Sequence, residues 1–192
     1  RPTIEGKKIW FDEEVLRLNV EGKGKYLGEF RHDDKILVVT DDGNFKFTSY
    51  DLMNHYEDNI RLIEKFDENK VYSAVYWDAD QGYYYTKRFH FEYGIKETSF
   101  IGENEKSKLM YLFTDTYPRI KIEFGGKNKN KEDQEILLPD FIGVKSYKAR
   151  GKRLTNAEVK KIHLLEPLPE PEKEEENNQE DGVEEDQMSL EF

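Results

Sequence analysis

The sequence predicts an all-β fold built from repeated antiparallel blades in the manner of a propeller, and three observations predict it. Short runs rich in β-branched and aromatic residues fill positions 1–165. Clusters of Asp, Gly, Asn and Pro separate those runs. The runs also recur at a near-constant step, which is the mark of a repeat architecture.

Taken in chain order, Gly22-Lys-Gly-Lys25 is a cationic turn leading into Tyr26–Phe30. The run Lys35–Thr40 meets Asp41-Asp-Gly43, and Asn44–Thr48 then alternates apolar with polar residues as a half-buried returning strand does. Asn59–Phe66 supplies a further strand. A second hairpin joins Val71–Trp77 to Tyr83–Phe91 through Asp78–Gly82, and a third joins Lys108–Thr114 to Arg119–Phe124 through Asp115–Pro118. The first apolar positions of the three, Ile36, Val71 and Leu109, lie 35 and 38 residues apart. That step approaches the roughly 40–50 residues of a four-stranded blade. The first strand of each hairpin is apolar on both faces, as a strand between two neighbouring sheets should be. Three to four blades fit the length, fewer than a closed ring of about four to eight, so the reading is part of a larger disc whose other blades lie upstream. Only Asp51–Tyr56 and Thr155–Ile162 read as short helices.

Charge divides the chain. The acidic segment Glu166–Phe192 holds twelve Asp and Glu against Lys173 alone, while residues 1–165 balance 29 basic against 29 acidic side chains. The expected organisation is one β domain over 1–165 and a disordered acidic tail over 166–192, where Pro167, Pro169 and Pro171 stop regular structure. The absence of Cys excludes disulfides and thiolate metal sites. No apolar run is long enough to span a bilayer, and the opening Arg1 reads as the start of a fragment; cytoplasm is the expected compartment and no membrane partner is expected.

Catalytic patterns are weak. His32, His55, His90 and His163 are dispersed without metal-ligand spacing, the paired acids occupy turns, and no phosphate-cradling glycine loop or nucleophile elbow occurs. Neither a catalytic residue nor a bound cofactor or metal is expected in this chain. The densest basic stretch is Lys145–Arg153, with Lys145, Lys148, Arg150, Lys152 and Arg153 in nine residues and no acid among them. Cations on an exposed loop, with a glycine that lets the backbone come close, suit phosphate. A solvated turn that keeps a sheet edge soluble has the same composition. Lys23 and Lys25 form a smaller version, and Lys127, Lys129 and Lys131 alternate in the polar loop Gly125–Asp133.

The phrases Lys8–Asn19, Lys25–Phe30, Asp33–Gly43 and Phe141–Leu154 resemble the C-terminal domain of the DNA-cleaving subunit of Bacteroidetes-type topoisomerase IV, over about residues 5–165. The resemblance implies a β-pinwheel, a propeller-like disc with altered strand order whose basic rim binds and bends DNA. It implies a parent enzyme that is an ATP- and Mg-dependent type IIA topoisomerase, relaxing and decatenating DNA in the cytoplasm, at the nucleoid. That parent is a heterotetramer of the cleaving subunit with a separate ATP-binding subunit. This chain would be the non-catalytic module that positions the transported duplex. The Gln-Arg-Arg-Gly-Gly-Lys-Gly box of the corresponding gyrase subunit is absent, which favours topoisomerase IV; Gly22–Lys25 and Ala149–Arg153 are its degenerate equivalents. No Tyr directly follows an Arg, so the family's cleaving tyrosine is not in this fragment. The tail would compete with phosphate for the basic rim. Its end, Gln187-Met-Ser-Leu-Glu-Phe192, resembles the sliding-clamp binding peptide, with Gln187, Met188, Leu190 and Phe192 at the matching positions. The competing class is a protein-interaction propeller without DNA contact, which explains the blades and the neutral body equally well.

Overall fold

A computed structural model describes residues 5–171. The motif carried by Gln187, Met188, Leu190 and Phe192 lies outside the described residues. Four sheets are laid out by one rule. In the first, β1 (Lys7–Asp12) stands between β2 (Arg17–Asn19) and β3 (Lys25–Phe30). In the second, β4 (Ile36–Thr40) stands between β5 (Asn44–Thr48) and β6 (Ile60–Lys65). The third centres on β7 (Tyr72–Asp78), flanked by its hairpin partner β8 (Tyr83–His90). Before that sheet is completed, the chain returns to the second and lays β9 (Thr98–Ser99) on the outer edge of β5. It then adds β10 (Lys108–Phe113) to the free side of β7. The fourth repeats the manoeuvre with β11 (Arg119–Phe124) and β12 (Gln134–Leu137). A one-turn helix α1 (Leu138–Phe141) follows, then β13 (Val144–Ser146) and β14 (Lys152–Arg153), both on the edge of β8, and finally β15 (Val159–Leu165) beside β11.

Each repeat therefore gives a piece of itself to the sheet before it. The first sheet receives the stretch around Met53 and Tyr56: Arg17 Nη1 donates to Met53 O at 3.4 Å, and the Tyr56 ring stands 5.5 Å from that of Phe11. A second signature of the repeat is a register shift in the ladder between each central strand and its third strand, near Ile9, Val39, Leu109 and Glu123. Such bulges strengthen the local twist that fans the sheets out.

Three apolar cores lie between successive sheets. Central strands feed two of them at once: Ile36 and Val38 face the first sheet while Leu37 and Val39 face the third. Tyr72, Ala74 and Tyr76 point one way and Val75 the other. This is the two-faced apolarity expected of a strand held between layers.

The structure corrects three expectations. Lys108–Thr114 and Arg119–Phe124 are not a hairpin: β10 pairs with β7 and β11 with β12 and β15. Pro118 fixes its own φ and pushes the preceding residue towards extended backbone, so the connection carries the chain to the next sheet instead of reversing it. Leu109 therefore closes the third repeat rather than opening a new one. The two short helices are also absent. Asp51 Oδ1 accepts from Met53 N at 2.9 Å in a local turn. Thr155 Oγ1 accepts from Ala157 N at 3.0 Å, after which Val159–Leu165 joins β11 as a strand. Beyond β15 the chain stays against the fourth sheet, with Leu168 N donating to Tyr117 O at 3.0 Å and Arg119 Nε to Glu166 O at 2.7 Å.

Candidate nucleic-acid interface

The basic stretch is an edge device of the third sheet. It arrives on β8 as β13, running parallel with Lys145 opposite Phe89, and leaves as β14, running antiparallel with Lys152 opposite Thr86. Between them Ser146 O accepts from Ala149 N at 3.0 Å, and Lys148 N donates to Ser146 Oγ at 3.2 Å. Gly151, at φ +89°, lets the turn come down onto β8; a Cβ there would stand 2.1 Å from Thr86 O. The same arrangement occurs at Gly24, where φ is +87° and a Cβ would stand 2.1 Å from Phe11 O. In both places the next residue, Lys152 or Lys25, enters an antiparallel ladder opposite the residue that owns that carbonyl. Lys23-Gly24-Lys25 and Arg150-Gly151-Lys152 thus share a backbone form as well as a composition.

The cations differ in what holds them. Lys145 and Lys148 are exposed and have no ion pair among the described residues. Arg150 is fixed through Nε, 3.0 Å from the nearly buried carboxylate of Asp78, while its carbonyl accepts from Tyr76 Oη at 2.6 Å. Its terminal nitrogens remain outside that pair. Lys152 lies with Nζ 4.0 Å from the centre of the Phe141 ring and 3.3 Å from Phe141 O. The Arg153 guanidinium stacks 3.8 Å over Tyr83 and donates to Asn156 Oδ1 at 2.8 Å. Arg153 is thereby a half-buried strut, whereas Lys145 and Lys148 stand in water at the turn.

The other predicted cations are distributed elsewhere. Lys23 pairs with Glu21 at 3.1 Å in an exposed setting, a contact worth little. Lys25 Nζ donates to Ile63 O at 2.8 Å, tying β3 to β6. Lys127, Lys129 and Lys131 are exposed on the β11–β12 connection, which carries a single 3₁₀ turn at Gly126–Asn128. There Lys129 and Lys131 share a cleft with Glu123, Asp133 and Glu158, and the backbone N of Lys127 donates to Glu158 Oε2 at 3.4 Å. Lys127 also borders the cleft between Tyr83, Tyr84 and Asn156, which links this loop to the Arg153 end of β14. The fold brings together Lys145, Lys148, Arg150, Lys152 and Arg153 on one edge with Lys127 nearby, and leaves Lys23 and Lys25 on the first sheet.

Among the cations outside the basic runs that the sequence singles out, two on β8 lie beneath the edge. Arg88, opposite Val144 of β13, has a buried Nε without an acceptor among the described residues. Lys87 is 2% exposed, and burial pushes its ammonium down to about 7. Its signal in the sequence is a cation on the apolar face of a strand, between Tyr85 and Phe89.

No helix among the described residues is long and apolar enough to cross a membrane, and no His, Asp and Glu cluster among them could hold a metal. The family model described as topoisomerase C-terminal domain, Bacteroidota, matches residues 17–166. The chain belongs to that family. Comparison with the curated proteins finds no match. The matched span of this topoisomerase C-terminal domain runs from β2 to the residue after β15 and so contains the whole basic edge of the third sheet.

Proposed function

We propose that this topoisomerase C-terminal domain holds duplex DNA by its phosphates on the outer edge of the third sheet. Lys145, Lys148 and Arg150 are the leading contacts, and Lys152 and Arg153 shape the turn that carries them. The observation that supports this most is the Lys145–Arg153 turn itself, in which Lys145 and Lys148 stand free at a sheet edge; of the two carboxylates that border the turn, Asp78 is already bonded to Arg150 and to the backbone nitrogens of Asp80 and Gln81, and Asp80 accepts from Asn104 Nδ2 at 2.7 Å. Contacts of this kind read charge and spacing rather than base edges. Binding is then tolerant of sequence and falls steeply with salt as counterions are released. Lys127 extends the track towards the fourth sheet, and Lys23 and Lys25 offer a second foothold of the same backbone form.

On this reading the module belongs to the DNA-cleaving subunit of a topoisomerase IV. It bends the transported duplex towards a cleavage gate supplied by the rest of that subunit, while ATP and Mg act in the parent enzyme with the ATP-binding subunit. Fluorescence anisotropy with two 40-base-pair duplexes of unrelated sequence at low salt tests the reading. Similar saturable binding of both is expected, and no binding of either would leave the domain as a protein-interaction scaffold.

A further inference from the structure

Lys87 is the one lysine in the core of the described residues. It sits mid-strand in β8 opposite Ala74, which is fully buried. Its Nζ donates to the backbone oxygens of Phe100 and, at 2.5 Å, of Tyr147. These two acceptors come from different places. Phe100 follows β9, the strand given to the second sheet, and its own N donates to Gly43 O at 3.0 Å. Tyr147 lies in the basic turn between β13 and β14, with its ring 5.2 Å from that of Phe45 on β5. The rings of Phe89, Phe100 and Tyr76 surround the nitrogen at 5.1, 5.8 and 5.9 Å. No carboxylate pairs with it among the described residues; the titratable groups of the core around it are Tyr72, Tyr76, Tyr83, Tyr85 and Tyr147, with the Asp78–Arg150 pair beyond Tyr76, and the other charged groups of the same strands and turn are Arg88, His90, Lys145, Lys148, Lys152 and Arg153. Gly151 closes the arrangement from above, since a Cβ on it would stand 2.9 Å from Lys87 Cβ.

A buried amino group with no acid partner is costly, and an apolar side chain would fill the same space without that cost. What lysine adds here is reach and two directed donors that end on two exchanged segments. We propose that Lys87 is the positioning residue of the basic edge: by holding the backbone of Phe100 and of Tyr147 at one point, it sets where Lys145, Lys148 and Arg150 stand relative to the third sheet. It makes no contact with DNA. The proposal rests on the reading of that edge as the duplex site, yet its first effect, the holding of the turn, is measurable without DNA.

The test is Lys87→Met, which keeps the unbranched apolar stem, one atom shorter, and removes both donors. Amide hydrogen exchange should quicken at least tenfold over 147–151 and 100–102 while β7 and the β4–β5 hairpin keep their protection. Affinity for a 40-base-pair duplex should fall severalfold with the slope of log affinity against log salt unchanged, because every cation that meets a phosphate is still present. Unchanged exchange in the turn overturns the proposal, and so does a flattened salt slope, which would make Lys87 a direct contact. If the wild-type domain binds no duplex, the site reading fails and the exchange arm alone decides the role of Lys87. Should the methionine variant not fold, Lys87→Gln, which keeps a shortened donor, is measured instead; protection intermediate between wild type and none is expected, and full wild-type protection would contradict the two-carbonyl hold.

Discussion

Gly151 rests on the carbonyl oxygen of Thr86, so close that a Cβ would stand 2.1 Å from it, and does so at a φ of +89°. Gly82, in the β7–β8 turn, also has positive φ but faces open space. The first position combines backbone strain with a steric conflict against a central sheet, and the second carries strain alone. Gly82→Ala should cost about 1 kcal/mol. Gly151→Ala should cost clearly more, roughly 2–4 kcal/mol, because the clash with backbone adds to the strain. Urea unfolding of the two variants checks the order, and equal costs would mean that the turn does not lie on β8 as described.

Lys87 also predicts how stability depends on pH. Its folded-state pKa is lowered from 10.5 to about 7, so the unfolded chain binds the proton more readily through that window. Stability from this group is then greatest above pH 10, falls as pH drops through 10 towards 7, and levels off below. A pKa that differs by one between the folded and unfolded chain corresponds to about 1.4 kcal/mol. The difference in unfolding free energy between wild type and Lys87→Met should therefore move in favour of wild type by an amount on the order of a few kcal/mol from pH 7 to pH 10. Parallel profiles would contradict the burial of an unpaired amine.

The acidic segment begins bonded to the fourth sheet, where Glu166 and Leu168 meet Arg119 and Tyr117. Truncation after Leu165 would disturb those contacts, whereas truncation after Pro171 leaves them and removes ten carboxylates. If the tail competes with phosphate for the basic edge, the shorter chain should bind duplex severalfold more tightly at low salt and by a smaller margin at high salt, as screening weakens the tail's own attraction. Identical titrations of the two chains would end that idea.

The terminal hexapeptide yields a separate expectation. A labelled peptide spanning Glu184 to Phe192 should bind purified sliding clamp saturably at tens of micromolar or below, and Leu190→Ala with Phe192→Ala should abolish the signal, because groove recognition depends on such anchors. Binding that survives the double change would rule out the motif.

Much of the fold is legible in the sequence where structure is local. The turns Asp41–Gly43 and Asp78–Gly82 carry their own reversal chemistry, and the strands on either side of each pair as hairpins. The pairing of Lys108–Phe113 is not legible in this way, because a two-faced apolar strand followed by an alternating one has the same pattern whether the two pair or part; Pro118 is the local hint. The exchanged strands β9, β13 and β14 are two or three residues long, too short for periodicity, and their partners lie tens of residues away. The cationic edge is visible as composition. That Arg153 is spent stacking on Tyr83, and that Lys87 underlies the turn, depend on those distant pairings and have no local sign beyond one charge on an apolar face.

Whether the Lys145–Arg153 turn holds duplex phosphates is decided by a salt titration of duplex affinity. Wild type is compared with the triple variant Lys145→Glu, Lys148→Glu, Arg150→Gln on two unrelated sequences, after circular dichroism has shown both chains folded. Each cation withdrawn from a phosphate should reduce the slope of log affinity against log salt by about 0.9. Phosphate binding by the turn requires weaker affinity by the same factor on both duplexes and a slope smaller in magnitude by roughly two to three. A folded triple variant with wild-type affinity and slope at low salt would show that the duplex is not held there.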